Sequence, residues 1–135
     1  MKKLFPMAAL LTAALSMACF TGCAPKPKQI GLQLYSVNQD MGDVEASLQK
    51  VADAGYNVVE TLGSPECFGL PAAEFKALCD SKGIKIVSTH TAIGMDPNDE
   101  EGVMNKWRAV FDGLKTMGAK YCVIPGFGLG SNLEE

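Results

Sequence analysis

One device, repeated three times, constrains this chain more than anything else in it. A helical pattern ends at a glycine, and a β-rich run begins almost at once. Val44, Leu48 and Val51 recur at helical spacing before Gly55, and Asn57–Thr61 follows as a strand. After Pro71, Phe75, Leu78 and Cys79 mark a second helix that closes at Gly83, ahead of the strand Ile84–His90. Val103, Trp107, Val110, Leu114 and Met117 form the clearest amphipathic stripe, closing at Gly118 before a strand over Lys120–Pro125. Each glycine supplies the left-handed turn that ends a helix, which other residues adopt only at a cost. With a first strand at Ile30–Tyr35, the order is that of an α/β chain, a parallel sheet covered by helices.

The repeat is expected to continue past its fourth strand. After Gly126, Gly128 and Gly130 comes Ser131-Asn132-Leu133-Glu134, a capping box of the kind that opens a helix. Four βα units with a fourth helix only begun predict the first half of a longer βα protein. The alternative is a complete four-stranded open sheet, whose two edge strands would lie bare.

The N-terminus reads differently from the body. Residues 1–28 carry Lys2, Lys3, Lys26 and Lys28 and no acid, which leaves eight basic against fifteen acidic side chains in 29–135, a balance of −7. So acidic a body repels a phosphate backbone, and nucleic-acid binding is not expected. Lys2 and Lys3 precede an apolar run, Leu4–Ala18, too short to cross a bilayer comfortably and typical of a signal peptide. It ends in Phe20-Thr21-Gly22-Cys23, which resembles the lipobox of bacterial lipoproteins, with Phe20 where leucine is usual. Cys19 is a poorer rival, since Ser16, Met17 and Ala18 fit the box less well. The expected organisation is a signal peptide over 1–22, a Pro-rich tether over 23–28 and a folded body over 29–135. Lipid on Cys23 would hold the body on the periplasmic side of a bacterial membrane, and Ala24 after the cysteine points to the outer membrane.

Cys67, Cys79 and Cys122 remain for the body, with no CxxC pair and no neighbouring histidine, so a zinc cluster is not expected. Cys79 falls on the apolar side of a helix and Cys122 inside a strand, where both act as small hydrophobes. Cys67 is expected in a loop, where it could be exposed. The Gly126–Gly130 run lacks the GxGxxG spacing of a phosphate cradle. Asp96, Asn98, Asp99, Glu100 and Glu101 lack the register of a calcium loop and suit an acidic first helical turn instead.

Four segments in order resemble a known family. They are Gly31-Leu32-Gln33-Leu34-Tyr35-Ser36, Gly55-Tyr56-Asn57-Val58-Val59-Glu60, Gly83 through His90, and Gly118 through Gly126. Together they are similar to the first four strand motifs of the sugar phosphate isomerase/epimerase group, xylose isomerase-like TIM barrels. The resemblance covers residues 29–130 and implies a partial (β/α)8 barrel of about four βα units, a half barrel. A full barrel needs about 250 residues, against 135 in this chain.

Strand alternation places a site within that frame. Gln33 with Tyr35, Val58 with Glu60, and Ile86 with Ser88 and His90 are expected to share faces, with Leu32, Leu34, Val59 and Val87 under the helices. Gln33, Tyr35, Glu60 and His90 are then the expected substrate-binding residues, the last three at the C-terminal strand ends where barrel enzymes keep their chemistry. Plainer roles stay open: Tyr35 as a filler of the barrel mouth, Glu60 as the partner of a barrel lysine or arginine, and His90 as a satisfied core residue.

The resemblance implies aldose–ketose isomerisation or epimerisation through an enediolate stabilised by a divalent metal, Mn, Co, Mg or Zn, acting on a sugar substrate. The metal ligands and proton-transferring glutamates of the relatives lie mainly on later strands, so no metal ligand and no catalytic residue is assigned within this chain, which is expected to be inactive alone. In the apurinic endonuclease branch a histidine ends the fourth strand, where this chain has Ile124-Pro125-Gly126. Two other readings accompany the isomerase, a non-catalytic sugar-binding or assembly lipoprotein fragment and a keto-sugar lyase or dehydratase on the same scaffold. Open barrel edges would favour self-association.

Overall fold

A computed structural model describes residues 28–126. The signal peptide, Cys23, nearly all of the tether and the capping box at Ser131 lie outside the described residues. Strand β1, Gly31–Gln33, runs into a 3₁₀ segment, Leu34–Asp40, and helix α1 follows at Val44–Asp53. Then come β2 (Val58–Leu62), a hairpin of β3 (Glu66–Cys67) and β4 (Leu70–Pro71), α2 (Ala72–Ser81), β5 (Lys85–His90), α3 (Glu100–Met117) and β6 (Tyr121–Val123). The helix boundaries have local causes. Asp43 caps α1 by accepting from the Ala46 amide at 3.0 Å, and Asp99 caps α3 by accepting from the Gly102 amide at 3.0 Å. Glu100 and Glu101 occupy the first turn of α3, where acids complement the helix dipole, as the sequence pattern implied. Gly118 ends α3 at φ 69°, and its N–H bonds the Leu114 and Lys115 carbonyls.

The four long-range strands form one parallel sheet in the order β1-β2-β5-β6. Its outer face lies under the helices. Leu34, Leu48, Val51, Val59, Phe75, Cys79, Ile84, Ile86 and Met117 share one buried cluster there.

Pairing departs from simple alternation at one point. Val59 pairs with Ile86, yet the next residue, Glu60, pairs with Ser88, so Val87 is an extra residue on β5. Ile86 therefore goes under the helices with Val59, while Ser88 and His90 turn to the inner face with Glu60. This corrects the expectation that Ile86 shares a face with Ser88 and His90 and that Val87 is the helix-facing residue. Tyr35 likewise is not in a strand. β1 ends at Gln33, and Tyr35 stands in the 3₁₀ turn that follows.

The hairpin corrects the expectation for Cys67. Its turn at Phe68 and Gly69 folds the segment back, and Phe68 packs on Phe75 with ring centroids 6.0 Å apart. That carries Cys67 inward, fully buried, with its Sγ 3.3 Å from the Gly63 carbonyl and 3.5 Å from Met117 Sδ. Cys79 is also fully buried, as its helical position predicted, and Cys122 is half-buried on β6.

Candidate functional site

Parallel pairing aligns the inner-face polar residues. Gln33 of β1 pairs directly with Glu60 of β2, and Glu60 with Ser88 of β5, so three side chains meet across three adjacent strands. Gln33 Nε2 donates to Glu60 Oε1 at 2.7 Å, and Ser88 Oγ donates to Glu60 Oε2 at 2.6 Å. Both carboxylate oxygens thus accept a hydrogen bond, and their remaining lone pairs stay available to a ligand. Two residues further along β5, His90 brings its Nδ1 to 3.5 Å from the same Gln33 Nε2. Tyr35 reaches the imidazole edge-on, with ring centroids 5.4 Å apart and an interplanar angle of 63°. Its place in the 3₁₀ turn leaves the ring more than half exposed.

All four residues singled out by sequence converge, therefore, in one cluster at the C-terminal half of the sheet. Glu60 is held by an amide and a hydroxyl, and no ion pair with lysine or arginine is found for it among the described residues. Ser88, which strand alternation sets on the face of His90 without marking it as a site residue, joins the cluster through Glu60. The signal for it was its register: a hydroxyl two residues before a strand-end histidine, opposite a strand-borne glutamate.

The chain locks this end of the sheet from behind. The Gly63 amide donates to the His90 carbonyl at 3.1 Å, Thr89 Oγ1 donates to the Gly63 carbonyl at 2.6 Å, and the Thr91 amide donates to the Val123 carbonyl at 2.9 Å. Beyond the ends of β5 and β6 opens a cleft of about 360 Å³ lined by Ala92, Ile93, Gly94, Met95, Trp107 and Ile124. A cavity of about 350 Å³ beside Leu32, Val51 and Tyr56 is lined by neither Glu60 nor His90 and is no part of the polar cluster.

The thiols take no part in it. Burial raises Cys67 and Cys122 above the ordinary 9.0, and burial, reinforced by Cys67 and Asp80 nearby, pushes Cys79 up to about 12. They stay protonated and unreactive near neutral pH. Among the described residues no three His, Cys, Asp or Glu side chains gather closely enough to hold a metal ion. Nor is any helix among them long and apolar enough to cross a membrane.

No protein-family model matches the sequence, and no curated protein does. Solved structures do. A sugar phosphate isomerase/epimerase from Parabacteroides distasonis ATCC 8503 is 30% identical, with a TM-score of 0.61 over 74% of this chain and 43% of its own. A second sugar phosphate isomerase/epimerase from the same organism is 23% identical, with a TM-score of 0.63 over 78% of this chain and 41% of its own. The chain thus spans under half the length of the proteins it matches. Four parallel strands with their helices, in the order of a TIM barrel, and the likeness to these structures lead to one conclusion: the chain has the fold of part of a TIM barrel, similar to that of the sugar phosphate isomerase/epimerases it matches.

Proposed function

We propose that this chain supplies the sugar-binding side of a sugar or sugar phosphate isomerase/epimerase barrel, with Gln33, Tyr35, Glu60 and His90 contacting the substrate and Ser88 holding Glu60. The observation that carries this reading is the convergence of these side chains into one hydrogen-bonded set on the open inner face. Glu60 offers acceptors for sugar hydroxyls, the Tyr35 ring offers an apolar surface beside them, and the apolar cleft past Ile124 suits the far end of a ligand.

Isomerisation or epimerisation through an enediolate requires a proton to leave one carbon and return elsewhere. A divalent metal, when bound in such an enzyme, polarises the carbonyl and hydroxyl involved. The residues described here do not fit that group. One carboxylate and one imidazole that faces an amide are too few to make a ligand set. The cluster's part is to bind and orient, and the 135-residue chain on its own is expected to bind sugar without turning it over. Titrating the chain with ketose and aldose phosphates, followed by Trp107 fluorescence or calorimetry, tests this. Glu60→Ala and His90→Ala should each weaken binding about tenfold or more, which is about 1.4 kcal/mol. Unchanged affinity in both would make the cluster structural, and turnover by the isolated chain would return the proton steps to it.

The second reading, a non-catalytic lipoprotein that binds sugar or assembles with another half barrel, draws support from the sheet edges. Among the described residues β1 and β6 each pair on one side only, and Tyr121 and Val123, which share the inner face with Ser88 and His90, are exposed. Sedimentation at rising concentration should show self-association, and a monomer at all concentrations would remove that reading. For location, the pattern from Leu4 to Cys23 supports a lipid anchor on the periplasmic side of the membrane. Mass spectrometry of the membrane fraction should find Cys23 acylated at a new N-terminus, and an unmodified chain starting elsewhere would refute the anchor.

A further inference from the structure

A single nitrogen atom links the two ionisable groups of the cluster. Gln33 Nε2 lies 2.7 Å from Glu60 Oε1 and 3.5 Å from His90 Nδ1. An ionised carboxylate only accepts, so the amide atom facing Glu60 is the nitrogen, and turning the amide round would set oxygen against oxygen. That assignment leaves the second hydrogen of the same nitrogen directed at His90 Nδ1. The longer contact is the weaker one, but its polarity is fixed by the shorter. A neutral imidazole that faces a donor at Nδ1 must accept there, and it then carries its own proton on Nε2.

We infer that Gln33 is a positioning residue that converts the charge of Glu60 into a fixed tautomer of His90, so that His90 presents an N–H donor at Nε2 to the barrel mouth. Among the described residues no hydrogen bond reaches His90 Nε2, which leaves that donor for a ligand. The groups around the ring are Gln33 from β1, Tyr35 from the 3₁₀ turn, Glu60 through Gln33, and the paired residues Leu62 of β2 and Val123 of β6, both apolar. None of them supplies an acceptor at Nδ1 that would draw the proton there.

The ligand class rests on the sugar reading. An Nε2–H suits a sugar hydroxyl or carbonyl oxygen. A divalent cation would need the Nε2 lone pair, hence a proton on Nδ1 and the Gln33 amide turned against Glu60. The same geometry that prepares His90 for a sugar oxygen therefore sets it against metal binding.

His90 is the only histidine in the chain, so its ring nitrogens give single signals in an imidazole nitrogen NMR spectrum of the whole 135-residue protein. At a pH where the ring is neutral, the wild type should show the proton on Nε2 and a bare Nδ1. Gln33→Glu places an acceptor opposite Nδ1 and should move the proton to that atom. Gln33→Ala, at an exposed edge position, should leave the ring averaging between tautomers. Adding Zn²⁺ alone to the wild type should leave the Nε2 proton in place. A wild-type ring protonated on Nδ1 overturns the inference, as does an unchanged tautomer in both variants with wild-type circular dichroism, or Zn²⁺ bound at Nε2. Sugar titration is scored separately: a ring in the expected tautomer that ignores ketose phosphates would end the sugar reading and leave the role of Gln33 standing.

Discussion

The two faces of one four-stranded sheet have been given different tasks. On the outer face Val59 and Ile86 vanish beneath α1 and α2 with Leu48, Val51 and Phe75, all buried, and Thr61 and Thr89 are sealed in as well. On the inner face the paired positions are Gln33, Glu60, Ser88 and Tyr121, polar or exposed, and the first three are linked by hydrogen bonds rather than by packing. Burial on one side provides the stability that leaves the other side free to be polar. The difference shows where function can reside in so small a sheet: in the layer that contributes least to holding it together.

The sharpest way to break this comparison is to cut the outer layer. Phe75 is fully buried beneath the hairpin, and Phe75→Ala should destabilise the fold by about 3–5 kcal/mol. Urea denaturation reads this directly, and Glu60→Ala measured beside it should move the midpoint far less. Equal losses would mean the inner cluster is a structural element. A subtler cut is Gly113→Ala. By helix propensity the change should help α3 by about 1 kcal/mol. In place, however, a Cβ would run into Ser64 Oγ and lie 2.8 Å from Pro65 Cα, where Ser64 already donates to the Val110 carbonyl at 2.8 Å. Overpacking should dominate, with a net loss of about 1–3 kcal/mol. A gain in stability would show that the loop after β2 yields more easily than its packing implies.

At neutral pH the smallest effect concerns the thiols, whose contribution shows only in alkaline solution and belongs to the outer layer alone. Cys79 is raised to about 12 from an ordinary 9.0, chiefly by burial, and Cys67 is raised in the same sense. The unfolded chain therefore gives up these protons first, so the stability tied to them is whole below pH 9 and drains away between 9 and about 12. Denaturation midpoints should fall over that window, and Cys79→Ala should flatten the fall relative to its own value at pH 7.5. A slope that survives the substitution would place its cause elsewhere.

How much of this the sequence disclosed varies with the physics of each part. The three helices were legible because their stripes, acidic first turns and terminal glycines all agree. Glu60 and His90 were legible as polar residues at the ends of apolar runs. The faces of β5 were not, because Lys85-Ile86-Val87-Ser88 has no alternation to read, and the displaced residue is chosen by pairing with β2 rather than by β5 itself. The 3₁₀ turn that carries Tyr35 was not legible, since nothing in Leu34-Tyr35-Ser36 announces it. The hairpin around Cys67 has strands of two residues each, too short for any periodicity, and its burial depends on Phe68 meeting Phe75 across seven positions of chain.

The extra residue at Val87 also has a genetic meaning. Were β5 one codon shorter at that point, the bulge would close, Ile86 would stay opposite Val59 and Ser88 opposite Glu60, and both faces would keep their residues. Loss of three nucleotides at Val87 should therefore spare the polar set. Loss or gain of one codon between Ser88 and His90 would instead shift His90 by one place and turn it under the helices, away from Gln33. Within this strand the place of an insertion or deletion, rather than its occurrence, decides whether the cluster survives.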